Sequence, residues 1–352
     1  MLLKDKRILI TGGTGSLGKI LVRRLLGGAA GMPGKIIVFS RDEAKQHDMR
    51  LEYQNRRSGT DDLIFNNFKQ LLEFRIGDVR DYASIARAMQ NVDVVINAAA
   101  LKQVPSCEYF PGEAVKTNVL GPENVVRAVR ELRLPIESVV GVSTDKACKP
   151  VNVMGMTKAI QERIFISGNI EAPQTRFLCV RYGNVLASRG SVIPLFHEQI
   201  RSGGPVTVTT VEMTRFLLSL ERAVDTILAA LKDGERGETF VPKVRAARMV
   251  DVADALIGDR PIKRTITGIR PGEKTHEIMI SDEEAIRTVA KGEYYAIKPM
   301  LPELASAVEK PALSGEYSSS GDVLSLDGVR EMLREHNLLL EQDPHLEGEM
   351  LR

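Results

Sequence analysis

Short apolar runs and stretches whose apolar residues return at helical spacing follow one another along this chain. Residues 7–11 predict a strand, a glycine turn follows, and residues 17–26 predict a helix. Further strands are predicted over residues 35–39, 74–76, 92–97 and 138–143, with helical intervals over 82–89 and 121–132. Strands alternating with helices predict an α/β fold, a parallel sheet covered by helices on both faces. A strand at 176–182, a helix at 220–231 and a strand at 238–241 would complete it, making the core discontinuous in sequence. Segments 183–215 and 249–300 carry Gly, Pro, Thr and Arg in patterns that fit neither a regular strand nor a long helix, and are assigned to a smaller lobe. From Met300 the tail holds Pro302, Pro311 and the loop Ser318-Ser319-Ser320-Gly321, then a predicted helix at 326–339 and an acidic end.

Composition narrows the function. The chain has 352 residues, room for one large or two intimate domains. Lys plus Arg number 48 against 46 Asp plus Glu, a net +2, which gives no overall field to recruit nucleic acid or an anionic membrane. With 43% hydrophobic and 27% charged residues it is an ordinary globular chain. Its apolar runs fall short of the ~20 residues that span a bilayer. The N-terminal run is broken by Lys4, Asp5, Lys6 and Arg7, so a cytoplasmic protein without a signal peptide is expected. Cys107, Cys148 and Cys179 are too scattered for a disulfide framework, and the five histidines lack metal-ligand spacing, so no metal is expected.

Gly12-Gly13-Thr14-Gly15-Ser16-Leu17-Gly18, directly after the first strand and opening a helix, places glycines where a backbone turns tightly and meets a pyrophosphate. Residues Gly12, Gly15, Ser16, Leu17 and Gly18 are therefore candidate dinucleotide contacts. The second strand runs into Ser40 and Arg41, which favour the 2′-phosphate of NADP, with Lys45 a further cation in reach. Asp42 and Glu43 follow at once and leave NAD open; Arg41 can also be read as the cap of a solvated loop. The fifth strand leads into Ser143-Thr144-Asp145-Lys146, and then Met154-Gly155-Met156-Thr157-Lys158. An acid beside an amine at a strand's carboxyl end can serve as proton donor and base, although Asp–Lys pairs are more often solvated surface charges.

Several blocks together resemble an extended short-chain dehydrogenase: the glycine loop, Ser40–Glu43, Gly77-Asp78-Val79-Arg80-Asp81, Ala98-Ala99-Ala100-Leu101-Lys102, Ser143–Lys146 and Arg181-Tyr182-Gly183-Asn184-Val185. More narrowly, Lys102–Glu108, Ser188-Arg189-Gly190-Ser191-Val192-Ile193-Pro194, Met213-Thr214-Arg215-Phe216 and Gly268–Lys274 resemble the inverting UDP-N-acetylglucosamine 4,6-dehydratases, which also epimerise carbon 5. That family usually carries Tyr-x-x-x-Lys; here Met154 stands at the tyrosine position, as in its capsule-biosynthesis branch, and a thioether exchanges no proton.

The resemblance implies a Rossmann-type doubly wound sheet, residues 1–182 with 216–248, which binds the dinucleotide. A substrate lobe, 183–215 with 249–300, and a C-terminal extension, 301–352, complete the chain. It implies NADP, a UDP-sugar substrate and a homo-oligomer such as a hexamer. Asp78 and Val79 would meet the adenine; Ala98, Ala100, Lys102, Asn118, Tyr182, Asn184 and Val185 would line the cofactor; Lys158 would hold the nicotinamide ribose. Lys102 and Asn184 would also reach the sugar, Arg215 and Arg270 the diphosphate, and Glu273 a ribose hydroxyl. His276 reads as a packing residue at a helix start. Lys146 would take the carbon 5 proton, neutralised for that purpose by burial and a cationic ring. Asp145 would protonate the departing hydroxyl, Thr144 would bond the carbon 4 oxygen, and Lys146 or a water would take the first proton. A sugar-nucleotide 4-epimerase and a non-catalytic cofactor sensor are the rival readings.

Overall fold

Each central strand is apolar on both faces, as a parallel strand sandwiched between helices must be. The first strand, β1 (Arg7–Thr11), turns Ile8 and Ile10 to one face and Leu9 to the other. The same alternation divides β2 (Lys35–Ser40), β4 (Val94–Asn97), β5 (Ser138–Val142) and β6 (Arg176–Val180) between two apolar clusters, most completely in β2, β4 and β6, whereas the edge strand β3 (Leu72–Ile76) packs Leu72 and Phe74 against the first. Helices Ser16–Leu26 and Leu220–Asp233 cover one face through Leu21, Leu25, Val224 and Ile227. Helices Tyr82–Ala88 and Gly121–Glu131 cover the other through Ile85, Val125 and Val129. The computed structural model describes residues 1–55, 62–186, 191–306, 308 and 310–340. Ser188, Arg189 and Gly190 of the motif quoted above, and the acidic end at 341–352, lie outside the described residues.

Among the described residues the sheet has nine strands, in which β3, β2, β1, β4, β5 and β6 run side by side and parallel. The order reverses between β1 and β4, so their carboxyl ends diverge and open a crevice there. This is the Rossmann-type architecture of extended short-chain dehydrogenases. Thr239–Pro242 adds a further parallel strand beside β6. Thr288–Lys291 and Tyr294–Ile297, placed in the smaller lobe by their sequence, form a hairpin that extends this sheet antiparallel.

The smaller lobe is more regular than its sequence indicates. Val192–Arg201 and Met249–Ile257 are helices of only 10 and 9 residues, too short for periodicity to stand out. Their Ile193, Phe196, Val252 and Leu256 form a separate core with Val329 and Leu333 of the tail helix Leu326–Glu335. The tail also pairs Tyr317–Ser318 with Ile278–Ile280. Residues beyond 300 are thus built into the smaller lobe. No helix among the described residues is long and apolar enough to cross a membrane.

Candidate active site

The glycine loop lies at the switch point. Gly12 adopts φ +66°, and a Cβ there would stand 2.8 Å from the Ala99 backbone, so the loop and the end of β4 touch through bare main chain. Thr11 stitches the two together, its hydroxyl donating to Asn97 Oδ1 at 2.8 Å and accepting from the Ala99 amide at 3.2 Å. A Cβ on Gly18 would meet the Gly13 carbonyl oxygen at 2.4 Å, so only glycine lets the helix pack on the turn. Gly15 caps that helix without any side-chain hydrogen bond. Its first amides, beside half-buried Ser16 and Leu17, therefore suit a pyrophosphate.

At the end of β2, Ser40 is buried and its hydroxyl accepts from Gln46 at 3.2 Å. The Arg41 guanidinium is 55% exposed and 3.8 Å from Asp78, positioned over the rim of the crevice. Lys45 is committed to Asp42, which lowers the Asp42 pKa through that hydrogen bond. Burial works to raise the Asp78 pKa, but Arg80, 2.7 Å away, prevails and holds it below the usual carboxylate range. Val79 is only 5% exposed and belongs to the core, where a Cβ on Gly121 would press it at 3.0 Å. Ala98 and Ala100 line the loop after β4, and Lys102 is exposed at its end. Asn118, fully buried in the π-helical turn Lys116–Leu120, braces that loop: it accepts from the Leu101 amide at 2.8 Å and donates to the Leu101 carbonyl at 2.9 Å. Tyr182 is buried in the main apolar cluster, which pushes its phenol pKa up, while its carbonyl accepts from the Asp145 amide at 3.0 Å. Val185 packs against the same cluster.

The charged centre follows β5. Residues Asp145–Ala147 form a short 3-10 turn after Thr144, whose hydroxyl donates to Asp145 Oδ1 at 2.8 Å. Asp145 has no exposed surface, and its Oδ2 has no hydrogen-bond partner among the described residues. Lys146 Nζ donates to Asp145 Oδ1 at 3.1 Å, reaches Asn184 Oδ1 at 3.4 Å, and lies 3.1 Å from Glu277 Oε1. Glu277 is 2% exposed, was not marked by any motif in the sequence, and is the unforeseen member of the site. Burial works to lower the Lys146 pKa, but Asp145 and Glu277 outweigh it and hold it above the ordinary lysine value. Lys146 is thus paired with two carboxylates, which oppose the neutral form expected for it beside a cationic ring.

On the helix Val153–Glu171, capped by Asn152, Met154 packs with Cys107 and Ala114 rather than facing the charged centre. Lys158 is 5% exposed, donates to Gln161 at 2.6 Å, and burial pushes its pKa down to about 8. Arg215 is buried, donating to the Thr214 and Thr275 carbonyls at 2.7 and 3.1 Å with Nε 3.9 Å from Glu277. It thus joins the charged centre. Arg270 is exposed, and Glu273, half-buried, accepts from its amide at 3.4 Å. Their loop is tied to the helix start by Asn152, which donates to the Gly272 carbonyl at 2.7 Å. His276 lies at a bend before Ile278–Ile280, not at a helix start, with Nδ1 2.7 Å from the Thr214 hydroxyl. All three cysteines are buried free thiols, and burial pushes Cys148 up to about 12.

The sequence profile of a family described as polysaccharide biosynthesis protein matches residues 8–299. A protein named UDP-glucose 4-epimerase from Rickettsia conorii is 43% identical over 94% of this chain and 95% of its own length. The X-ray structure of Pen from Bacillus thuringiensis is 34% identical, covers 96% of this chain and 100% of its own, and superposes with a TM-score of 0.85. A dTDP-glucose 4,6-dehydratase, DesIV from Streptomyces venezuelae, crystallised with NAD and TYD, is 21% identical over 76% of this chain and 86% of its own, with a TM-score of 0.63. At that identity the likeness is one of fold.

Proposed function

Because the chain belongs to the polysaccharide biosynthesis protein family, we propose that it binds a nicotinamide dinucleotide and dehydrates a UDP-N-acetylhexosamine, UDP-N-acetylglucosamine first, to its 4-keto-6-deoxy form with inversion at carbon 5. The observation that carries this reading is the Asp145–Lys146 pair at the end of β5, buried beside Glu277, while the tyrosine position holds a packed methionine. Simple 4-epimerisation needs no acid–base pair for expelling water; elimination across carbons 5 and 6 needs both members.

When bound, the dinucleotide stores a hydride, taken from carbon 4 and returned to carbon 6. Lys158 would lie along its ribose and Arg41 at a 2′-phosphate, which favours NADP; measuring both dissociation constants separates it from NAD. The resting pair, an ammonium and a carboxylate 3.1 Å apart, becomes a neutral amine and a carboxylic acid by one internal proton transfer. Lys146 then takes the carbon 5 proton, made acidic by the carbon 4 ketone. Since Asp145 exposes no atom, its proton reaches the departing carbon 6 hydroxyl through the partly exposed Thr144, and water leaves. This restores the ion pair. Reprotonation of carbon 5 on the opposite face inverts it. The carbon 4 hydroxyl proton passes to water, because Lys146 is reserved for carbon 5 and Met154 has none to exchange, and water supplies the proton that returns to carbon 5.

Incubation with UDP-N-acetylglucosamine in deuterated water tests this. Dehydration predicts a product lighter by one water and labelled at carbon 5. The 4-epimerase reading, favoured by the names of the rickettsial relatives, predicts unchanged mass and no label, and a sensor predicts no conversion. Gly18→Ala is expected to weaken dinucleotide binding about tenfold or more, because its methyl would stand 2.4 Å from the Gly13 oxygen. Titration of reduced dinucleotide fluorescence reads this directly, and unchanged affinity would show that the turn does not hold the pyrophosphate.

A further inference from the structure

Glu277 comes to Lys146 from the smaller lobe, and the tail holds it there. Its amide donates to the Ser319 hydroxyl at 2.9 Å, and its carbonyl accepts from the Ser319 amide at 2.8 Å. Ser319 is fully buried and also bonds the Thr214 hydroxyl at 2.7 Å. The serine loop of the tail thus fixes the main chain of Glu277, and β5 fixes that of Lys146. Glu277 Oε1 meets the ammonium, while Oε2 is buried without a hydrogen-bond partner among the described residues. An orphaned carboxylate oxygen is costly, and a fold that retains one beside an acid–base pair is spending stability on that spot.

We propose that Glu277 is a positioning residue for the dehydration, holding the Lys146 amine toward the sugar and strengthening it as the base at carbon 5. This rests on the dehydratase reading above. As the carbon 5 proton arrives, the neutral amine formed by the internal transfer becomes cationic again, and a fixed carboxylate 3.1 Å away holds that amine in place and favours its taking the proton. Asp145 cannot fill that role, because it loses its own proton in the same elimination. The charged groups facing Lys146 are Asp145 from its own turn, Glu277 and Lys274 from the loop before Ile278–Ile280, and Arg215 from the strand Thr214–Leu218. Asp145 and Glu277 favour its charged form, and Arg215, 3.9 Å from Glu277, tempers the second.

The test compares the full chain with Glu277→Gln and Glu277→Asp. In the free proteins, labelled with 13C at the lysine ε carbon, the Lys146 signal is assigned by its loss in Lys146→Arg and titrated with base. It is expected to titrate at lower pH in E277Q than in the wild type, and to stay near the wild-type position in E277D. With UDP-N-acetylglucosamine, E277Q is expected to lower kcat and deuterium uptake at carbon 5 about 10–100-fold, with KM little changed. The basic limb of its pH profile is expected to move to lower pH, and E277D to recover part of the loss. An unmoved Lys146 titration or an unshifted basic limb overturns the proposal, as do equal losses in both variants tracking a loss of thermal stability. A wild type that releases no dehydrated sugar overturns the reaction itself, a failure told apart by the titration, which needs no turnover.

Discussion

Replacing Lys146 with Arg is expected to abolish deuterium incorporation at carbon 5 of the hexose and to slow dehydration by about 10²–10⁴-fold. Arginine keeps a cation between Asp145 and Glu277, which lie 3.1 Å from the present amine on either side, so the buried carboxylates are not left unpaired. A guanidinium gives up no proton in a protein and so cannot become the base. Lys146→Met removes the base and the countercharge together and is expected to lose stability as well as turnover. The informative comparison is therefore an arginine variant that unfolds like the wild type, binds dinucleotide like the wild type and does not exchange carbon 5. Undiminished exchange in that variant would remove Lys146 from the chemistry.

The largest stability effect is expected at Arg181, about 3–5 kcal/mol for Arg181→Met by chemical denaturation. Its side chain is 3% exposed and joins two buried carboxylates, Glu162 at 2.6 Å from helix Val153–Glu171 and Glu284 at 2.7 Å from the segment after Ile278–Ile280. It also donates to the Met279 carbonyl at 2.6 Å, and Glu162 accepts from Ser143, two positions before Asp145. Methionine would fill the volume and take from both carboxylates the guanidinium that joins them. Burial works to raise the Glu284 pKa, yet the charge and hydrogen bonds of Arg181 push it down to about 2 from its ordinary 4.5. A carboxyl depressed by folding stabilises the native state above its unfolded pKa, and that stability fades as pH falls toward the folded one. The gap between wild type and variant should therefore be widest near neutral pH and narrow below about pH 4.5 toward 2. A constant gap across that range would show that the loss comes from packing alone.

The parallel strands were legible because burial on both faces leaves an unmistakable apolar run, and Ile8, Leu9 and Ile10 need no distant partner to be recognised as core. The glycine turn was legible because Gly12 and Gly18 meet main chain where no side chain fits. Less visible were segments whose partners come from far away. Met249–Ile257 reads as irregular until it meets Val192–Arg201 and the tail helix, and Thr288–Lys291 becomes a strand only against Tyr294–Ile297. The surroundings of Lys146 were hidden for the same reason: sequence displays Asp145 next to it but not Glu277, 131 positions later, whose charge opposes the effect of burial. Val79 and Tyr182, expected at the cofactor, also belong to the two apolar clusters, which sequence did not display. Arg215, expected at a diphosphate, sits deep beside Glu277.

The small core drawn from Val192–Arg201, Met249–Ile257 and Leu326–Glu335 also sets an order of assembly during synthesis. As the polypeptide leaves the ribosome, the long parallel sheet can collapse once Thr239–Pro242 has emerged, whereas the lobe beside it waits for Leu333. Ser319, the clamp on Glu277, arrives in that same final stretch. The half that carries the glycine loop is thus ready well before the surroundings of Lys146 are finished, and on the proposed function a chain released early would have a formed nucleotide cleft but no complete acid–base centre.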